Sequence, residues 1–443
     1  MNKLIAWMEK YFIPVATKIG QQRHLVAIRD SFIAIMPLTM VGSVAVLLNV
    51  FFRDLPTAAG WTGFVQNMQW LININGIVWF ASFAIISFAF IVSFGYHLSK
   101  DYEVNPIAGA IVSLSSFVVF LPQVATFEAE VKGVKGIVSS WGFISLNHIG
   151  SAALFTALIV GLIFTMIYIK LMKANLIIKL PDTVPPAVSK AFAAIIPSVI
   201  SIYLSAVLSF LLTNYTGMVL NDIIAKYIQI PLMSLSQGIF SVILLSFLVQ
   251  LFWFFGIHGH NVLAPIMDGI YLPATTANAE HYLKYGVEGI KDLPYLWTRG
   301  SFDAFGQMGG SGITIALIIA IFIFSKRDDS RAIAKLSAPM GIFNINEPIT
   351  FGIPIVLNPI YAIPWLIVPP LAVSIAYTLT SLGVIRPVLA AVPWILPPGI
   401  YAFLATGGDW LAAIVSLLLI VLAVMIYTPF VLFANKMNNK YEI

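Results

Sequence analysis

Cysteine is absent from the 443 residues, and charge is scarce: Asp, Glu, Lys and Arg together make up only 10%. Without a thiol there are no disulfides, thiolate metal ligands or cysteine nucleophiles, and redox chemistry says nothing of the compartment. The shortage of charge excludes more, because a soluble domain carries about 25% charged residues. Hydrophobic residues reach 59%, and the mean hydropathy is +0.93. A soluble enzyme, a nucleic-acid binder and a disordered scaffold are all excluded. The net charge of +5 is small for this length, so the pI near 9.1 does not argue for nucleic acid. The start also lacks a compact apolar core followed by a small-residue cleavage site, so no signal peptide is expected. What remains is an all-α polytopic membrane protein, since an outer-membrane barrel would show short alternating segments instead of long apolar runs.

A membrane-spanning helix needs about 20 apolar residues to cross about 30 Å of hydrocarbon. Candidates fall at 31–52, 77–98, 105–122, 150–169, 191–213, 238–256, 313–325, 360–382 and 411–433. The Pro-rich C-terminal half blurs the count, and about ten spans are expected. Ahead of them, residues 1–20 place Leu4, Trp7, Met8, Tyr11, Phe12 and Val15 at helical spacing, as in a helix lying in the membrane interface. Basic residues cluster within 3–29, 170–190, 326–335 and 436–440. By the positive-inside rule these stretches and both termini are cytoplasmic, which requires an even number of crossings.

The two halves differ in texture. Residues 1–230 hold clean apolar runs and read as a scaffold: an interfacial helix, about five spans and an oligomer contact. Residues 231–443 hold short apolar pieces broken at Gly256 to Pro265, Gly306 to Gly312, Pro339 to Pro359 and Pro387 to Gly399. Broken backbone at membrane depth is tolerated only where protein or a water-filled cavity covers it. Transporters build their sites from such pieces, so this half reads as the substrate-handling part.

Three constellations in that half carry chemistry. His258 and His260 stand in Gly256-Ile-His-Gly-His-Asn, two residues apart. That spacing is about 200° around a helix, so both can face one cavity only from a turn. A metal reading needs a third ligand; Asp268 is the nearest acid, and the spacing matches no familiar pattern. Otherwise the pair bonds to backbone at a helix end, or serves a function that justifies polar groups in a membrane. The stretch Phe343-Asn-Ile-Asn-Glu-Pro-Ile-Thr-Phe-Gly-Ile-Pro is the most informative. Pro348 suits the first turn of a helix and pushes Glu347 away from the α region. Asn346 and Glu347 would begin a short half-helix, where a carboxylate can accept a hydrogen bond from a ligand hydroxyl or take its proton. A buried cap is the structural alternative. Trp394, within Val392-Pro-Trp-Ile-Leu-Pro-Pro-Gly, is held in a rigid non-helical setting, either as a stacking plate for a sugar face or as an interfacial tryptophan. Asn147 with His148, and Thr298 with Arg299, are further candidates for a cavity wall. The run Gly306 to Gly312 lacks the Lys-Ser/Thr ending of a nucleotide-binding loop and reads as close helix packing. Energy must then come from an ion gradient or a partner protein.

These motifs together resemble the membrane IIC component of the bacterial phosphotransferase system, in its lactose/cellobiose/diacetylchitobiose family. The resemblance spans essentially the whole chain and rests on the Asn-Glu-Pro stretch through Asn358-Pro359, on Gly-Ile-His-Gly-His-Asn, on Val392-Pro-Trp394 and on Arg23-His-Leu-Val-Ala-Ile-Arg-Asp30. It implies ten transmembrane helices with two re-entrant hairpins, and a homodimer formed through the N-terminal half. It implies a permease subunit of a sugar phosphotransferase in the bacterial cytoplasmic membrane. Its substrate would be a β-linked disaccharide of cellobiose or diacetylchitobiose type. The C6 hydroxyl would be phosphorylated by a partner IIB protein carrying phosphocysteine and fed in turn by IIA, which fits a chain without cysteine. No cofactor or metal is implied. By the same resemblance Glu347 and Asn346 bind the sugar, Glu347 and His260 take part in the transfer, Trp394 stacks, and Asn147 supplies an amide. The site histidine falls on His258 or His260, with His260 preferred. The alternative from another class is an ion-coupled secondary sugar transporter with Glu347 as proton carrier.

Overall fold

The computed structural model describes residues 21–438 apart from 132, 133, 182 and 354; the interfacial helix expected over residues 1–20 lies outside them. Among the described residues, seven helical stretches are long and apolar enough to cross a membrane. They are Arg23–Thr57, Gln69–Asp101, Ser151–Lys173, Pro186–Thr216, Arg299–Phe324, Ala362–Ser381 and Trp410–Asn435. An eighth arises if Leu220–Ser236 and Ile239–Phe254, bent by 75° at a short break, count as one. The expected stretch at 105–122 is a 14-residue helix, Pro106–Val119.

Two expectations fail locally. An antiparallel hairpin pairs Val124–Val131 with Val134–Trp141, in a chain expected to be helical throughout. It lies between apolar stretches, where hydropathy carries no signal, and its β-branched residues favour strand. The break expected from Gly256 to Pro265 is also shorter than predicted. It closes at His258, and the helix Gly259–Tyr285 carries Pro265 and Pro273 within it. A single proline removes one intrahelical hydrogen bond, and neighbouring structure can absorb that loss.

The chain divides into two compact units. One comprises Gln22–Thr39 and Trp79–Leu232. Its helices Ile86–Asp101, Pro106–Val119 and Leu154–Lys173 pack on one another. Small residues permit the approach: a Cβ on Gly95 would stand 2.5 Å from Ser113 Cβ, and one on Gly161 would stand 2.7 Å from Ile91 and Phe94. This is the small-residue packing that membrane helices use when no hydrophobic drive exists between them. Asn105 starts the second of these helices, its Oδ1 accepting from Ala108 N at 3.3 Å ahead of Pro106.

The other unit comprises Met40–Val78 and Met233–Ile443. Trp297 and Trp365 sit fully buried in its core. Residues 382–399 are non-helical, yet their middle is buried, with Val388, Leu389 and Ala390 at 0–1% exposure. Buried backbone of that kind needs partners. Leu389 N and Ala390 N donate to Ala405 O at 2.9 and 3.1 Å, and Arg386 N donates to Asp409 at 2.8 Å. Side-chain amides add further backbone partners in this unit. Asn278 donates to Val388 O and Tyr295 O and accepts from Tyr295 N. Gln237 likewise donates to Trp297 O and accepts from Trp297 N.

Candidate functional site

The helix Glu347–Gly352 is six residues long and begins with Glu347 itself, followed by Pro348. Glu347 thus lies within the helix although it precedes a proline, and the proline's own missing N–H costs nothing in the first turn. Glu347 is exposed and enters none of the ion pairs among the described residues. Asn346, just before it, is 4% exposed, and its Nδ2 donates to Ser311 O and Thr350 Oγ1, both at 3.3 Å.

The glycine-rich turn is pressed against this segment. Gly310 has φ +92, and a Cβ there would stand 2.6 Å from Asn346 Cβ; at Gly312, φ +76, it would strike the Trp365 ring at 2.4 Å. Only glycine meets both the left-handed backbone and the clearance.

Asn344 ties three segments together. Its Oδ1 accepts from Gly309 N at 2.8 Å, and its Nδ2 donates to Trp394 O at 2.6 Å and Leu396 O at 2.8 Å. It does so from φ +61, a conformation that asparagine tolerates better than most residues. Trp394 itself is 47% exposed, so the loop is anchored through its backbone and leaves the indole accessible.

The histidine turn abuts the same helix. His258 is exposed, and its Nδ1 accepts from Asn261 N at 3.3 Å, capping the helix Gly259–Tyr285. Its ring lies 4.5 Å from that of Trp253, and Trp253 lies 6.5 Å from Phe351 of the Glu347 helix. Leu357 N donates to Phe254 O at 2.9 Å and closes the contact from the other side. The His258 and His260 rings are 5.9 Å apart. Among the described residues no group of three or more His, Asp or Glu gathers as a metal site. Asp268, the acid weighed as a third ligand, accepts instead from Arg299 Nε at 2.9 Å.

Arg299 also donates through Nη1 to Asp303 at 2.8 Å, one helical turn away. The hydroxyl of Tyr401, 3% exposed, lies against Gly300 in the same helix.

The model of the phosphotransferase system EIIC family matches residues 29–369. The chain belongs to that family. It is 40% identical over 490 aligned positions, covering 99% of both chains, to a cellobiose-specific EIIC component of Lactococcus lactis. It is 32% identical to a lichenan permease IIC component of Bacillus subtilis, over 100% of this chain and 96% of the relative. The crystal structure of ChbC, the IIC component of an N,N'-diacetylchitobiose-specific phosphotransferase system, superposes with a TM-score of 0.91 at 31% identity. That match covers 98% of this chain and 99% of ChbC.

Within this EIIC chain, the structure gathers Glu347, Asn346, His258, His260 and Trp394 into one compact unit. Asn147 belongs to the other unit, in the 3-10 turn Leu146–His148, and its side chain lies outside the described residues. Sequence reasoning missed the clamp at Asn344, although it lies in the stretch already singled out. It named Arg299 as a cavity residue but not its two carboxylates, of which Asp303 was readable from the four-residue spacing on a helix.

Asn344 gives a direct test. Asn344→Ala should lower stability by about 2–3 kcal/mol, the sum of three hydrogen bonds, two of them partly buried, at roughly 1 kcal/mol each. Asn344→Gly removes the same bonds without a Cβ at positive φ and should cost somewhat less. Thermal unfolding of both variants measures the difference; wild-type stability in Asn344→Ala would show that the clamp does not hold the Trp394 loop.

Proposed function

We propose that this chain is the sugar-translocating subunit of a phosphoenolpyruvate-dependent phosphotransferase system. It binds a β-linked disaccharide of cellobiose or diacetylchitobiose type and holds the C6 hydroxyl for phosphorylation by a IIB partner that IIA recharges. The observation that carries the reading is the cross-tied arrangement in one unit. An accessible carboxylate begins the half-helix Glu347–Gly352, the histidine turn packs against that helix through Trp253 and Phe351, and Asn344 anchors the Trp394 loop. The cellobiose and diacetylchitobiose specificities of these relatives support the substrate class.

Phosphoryl transfer asks little covalent help of the protein and much positioning. Glu347 holds the C6 hydroxyl and takes its proton. The sugar oxygen then bonds to phosphorus as the S–P bond of a IIB phosphocysteine breaks, and the thiolate departs on IIB. His260 stabilises charge near the incoming phosphoryl group. Asn346 has Nδ2 engaged with protein, which leaves Oδ1 to accept from a sugar hydroxyl. Trp394 stacks on a ring, and Asn147 supplies a further amide. Ten crossings with two re-entrant hairpins, both termini in the cytoplasm, and a homodimer through residues 1–230 complete the assembly in the cytoplasmic membrane. Residues 231–443 move the sugar.

Uptake of radiolabelled cellobiose into sealed vesicles, with and without purified phospho-IIB, tests the reading. Sugar phosphate should accumulate only with phospho-IIB. Accumulation of unmodified sugar driven by a proton or sodium gradient without IIB would instead identify an ion-coupled transporter with Glu347 as its carrier.

A further inference from the structure

We infer that Gln250 and Trp253, together with His260, form a hydrogen-bonding subsite for a hydroxyl-rich sugar ring. The inference rests on the disaccharide reading above. Gln250 is fully buried in the helix Ile239–Phe254, yet neither its Oε1 nor its Nε2 has a protein partner. Trp253, 4% exposed, likewise leaves its indole N–H without one. The two are three residues apart and so share a helix face.

The next helix brings the third member. Gly259 is pressed onto the backbone of Val249, where a Cβ would stand 2.1 Å from Val249 O. His260, adjacent to that contact, has a buried Nε2 that also lacks a protein partner. Trp253 lies beside both His258 and Phe351, so its unpaired indole borders the two segments that carry the candidate site.

Buried polar groups in folded proteins are almost always hydrogen-bonded, and leaving one unpaired is costly. Elsewhere in the same unit Gln237, Asn278 and Asn344 each bond to backbone on both sides of the amide, and Gln307 leaves only its Oε1 unpaired. Gln250 breaks that pattern next to the candidate site. Its amide offers donors and an acceptor, the indole a donor, and the imidazole either. That mixture suits sugar hydroxyls, which donate and accept. A cation would be repelled by the N–H groups.

The test uses the purified full chain with cellobiose and N,N'-diacetylchitobiose as probes. Equilibrium binding and the sugar-free thermal midpoint are measured for wild type, Gln250→Leu and Trp253→Phe. Gln250→Leu should weaken binding of at least one probe by about 10- to 100-fold, and Trp253→Phe by about 3- to 10-fold. The sugar-free midpoint should stay level or rise in Gln250→Leu, because an unpaired buried amide is gone. Affinities within twofold of wild type, with a lowered midpoint in Gln250→Leu, would overturn the subsite and assign the amide to a structural water. If Gln250→Leu does not fold, Trp253→Phe decides alone, since it keeps the ring and loses only the N–H. Wild-type binding of neither probe defeats the substrate reading and the subsite with it. Wild-type binding with unaffected variants defeats the subsite only.

Discussion

Glu347→Gln should bind disaccharide within about tenfold of wild type while its phosphorylation by phospho-IIB falls by about 10²–10⁴-fold, the usual contribution of a positioned general base. The substitution is nearly isosteric and keeps an acceptor oxygen. Glu347 is exposed at the first position of a short helix and enters no described ion pair, so replacing its charge leaves no buried cation unpaired. Folding should therefore survive, and the two losses can be separated on one preparation. Glutamine cannot take a proton near neutral pH, so a base role appears as a selective loss of the chemical step. If Glu347 only positions the hydroxyl, binding and phosphorylation fall together by about 1.5–3 kcal/mol, the worth of one charge-assisted hydrogen bond. If it is a structural cap, stability falls and neither step is singled out. Equilibrium binding and single-turnover phosphorylation decide among these; equal and modest losses would sink the base role and leave the binding role standing.

Much of this fold was legible because hydropathy and proline act locally. Apolar runs such as 150–169 and 411–433 must cross or be buried, and they do form the helices Leu154–Lys173 and Trp410–Asn438. Proline density also sorts the broken segments. Pro265 stands in an otherwise helical run and is absorbed, whereas Pro387, Pro393, Pro397 and Pro398 together keep 386–399 out of helix. The hairpin Val124–Trp141 escaped because neither signal covers it. The candidate site was legible as residue types but not as an arrangement. Asn344 reaches Trp394 across 50 residues, and Asn278 reaches Val388 across 110. Such pairings depend on where non-helical backbone is buried, which no local pattern records. The grouping of Met40–Val78 with Met233–Ile443 is invisible for the same reason.

The charge cluster around Arg299 should have the largest effect on stability. Its guanidinium serves Asp268 at 2.9 Å and Asp303 at 2.8 Å, and the three side chains are only 21%, 23% and 18% exposed. A paired buried charge adds little net stability, but removing one partner strands the others. Arg299→Met leaves Asp268 and Asp303 without their guanidinium partner. The expected loss is about 3–5 kcal/mol. Arg299→Lys keeps the charge but cannot span both carboxylates with a fixed fork, so it should fall between wild type and Arg299→Met. The combination of Arg299→Met with Asp268→Asn and Asp303→Asn removes every charge and should recover most of the stability. That recovery separates stranded charge from lost packing, because all three variants that lack Arg299 lose the stem contacts of the arginine or replace them with a similar chain. Thermal unfolding of the purified variants measures it. A triple variant no more stable than Arg299→Met would show that the guanidinium acts by shape and hydrogen bonding within the helix Arg299–Gly306, and that the carboxylates are not the reason it is needed.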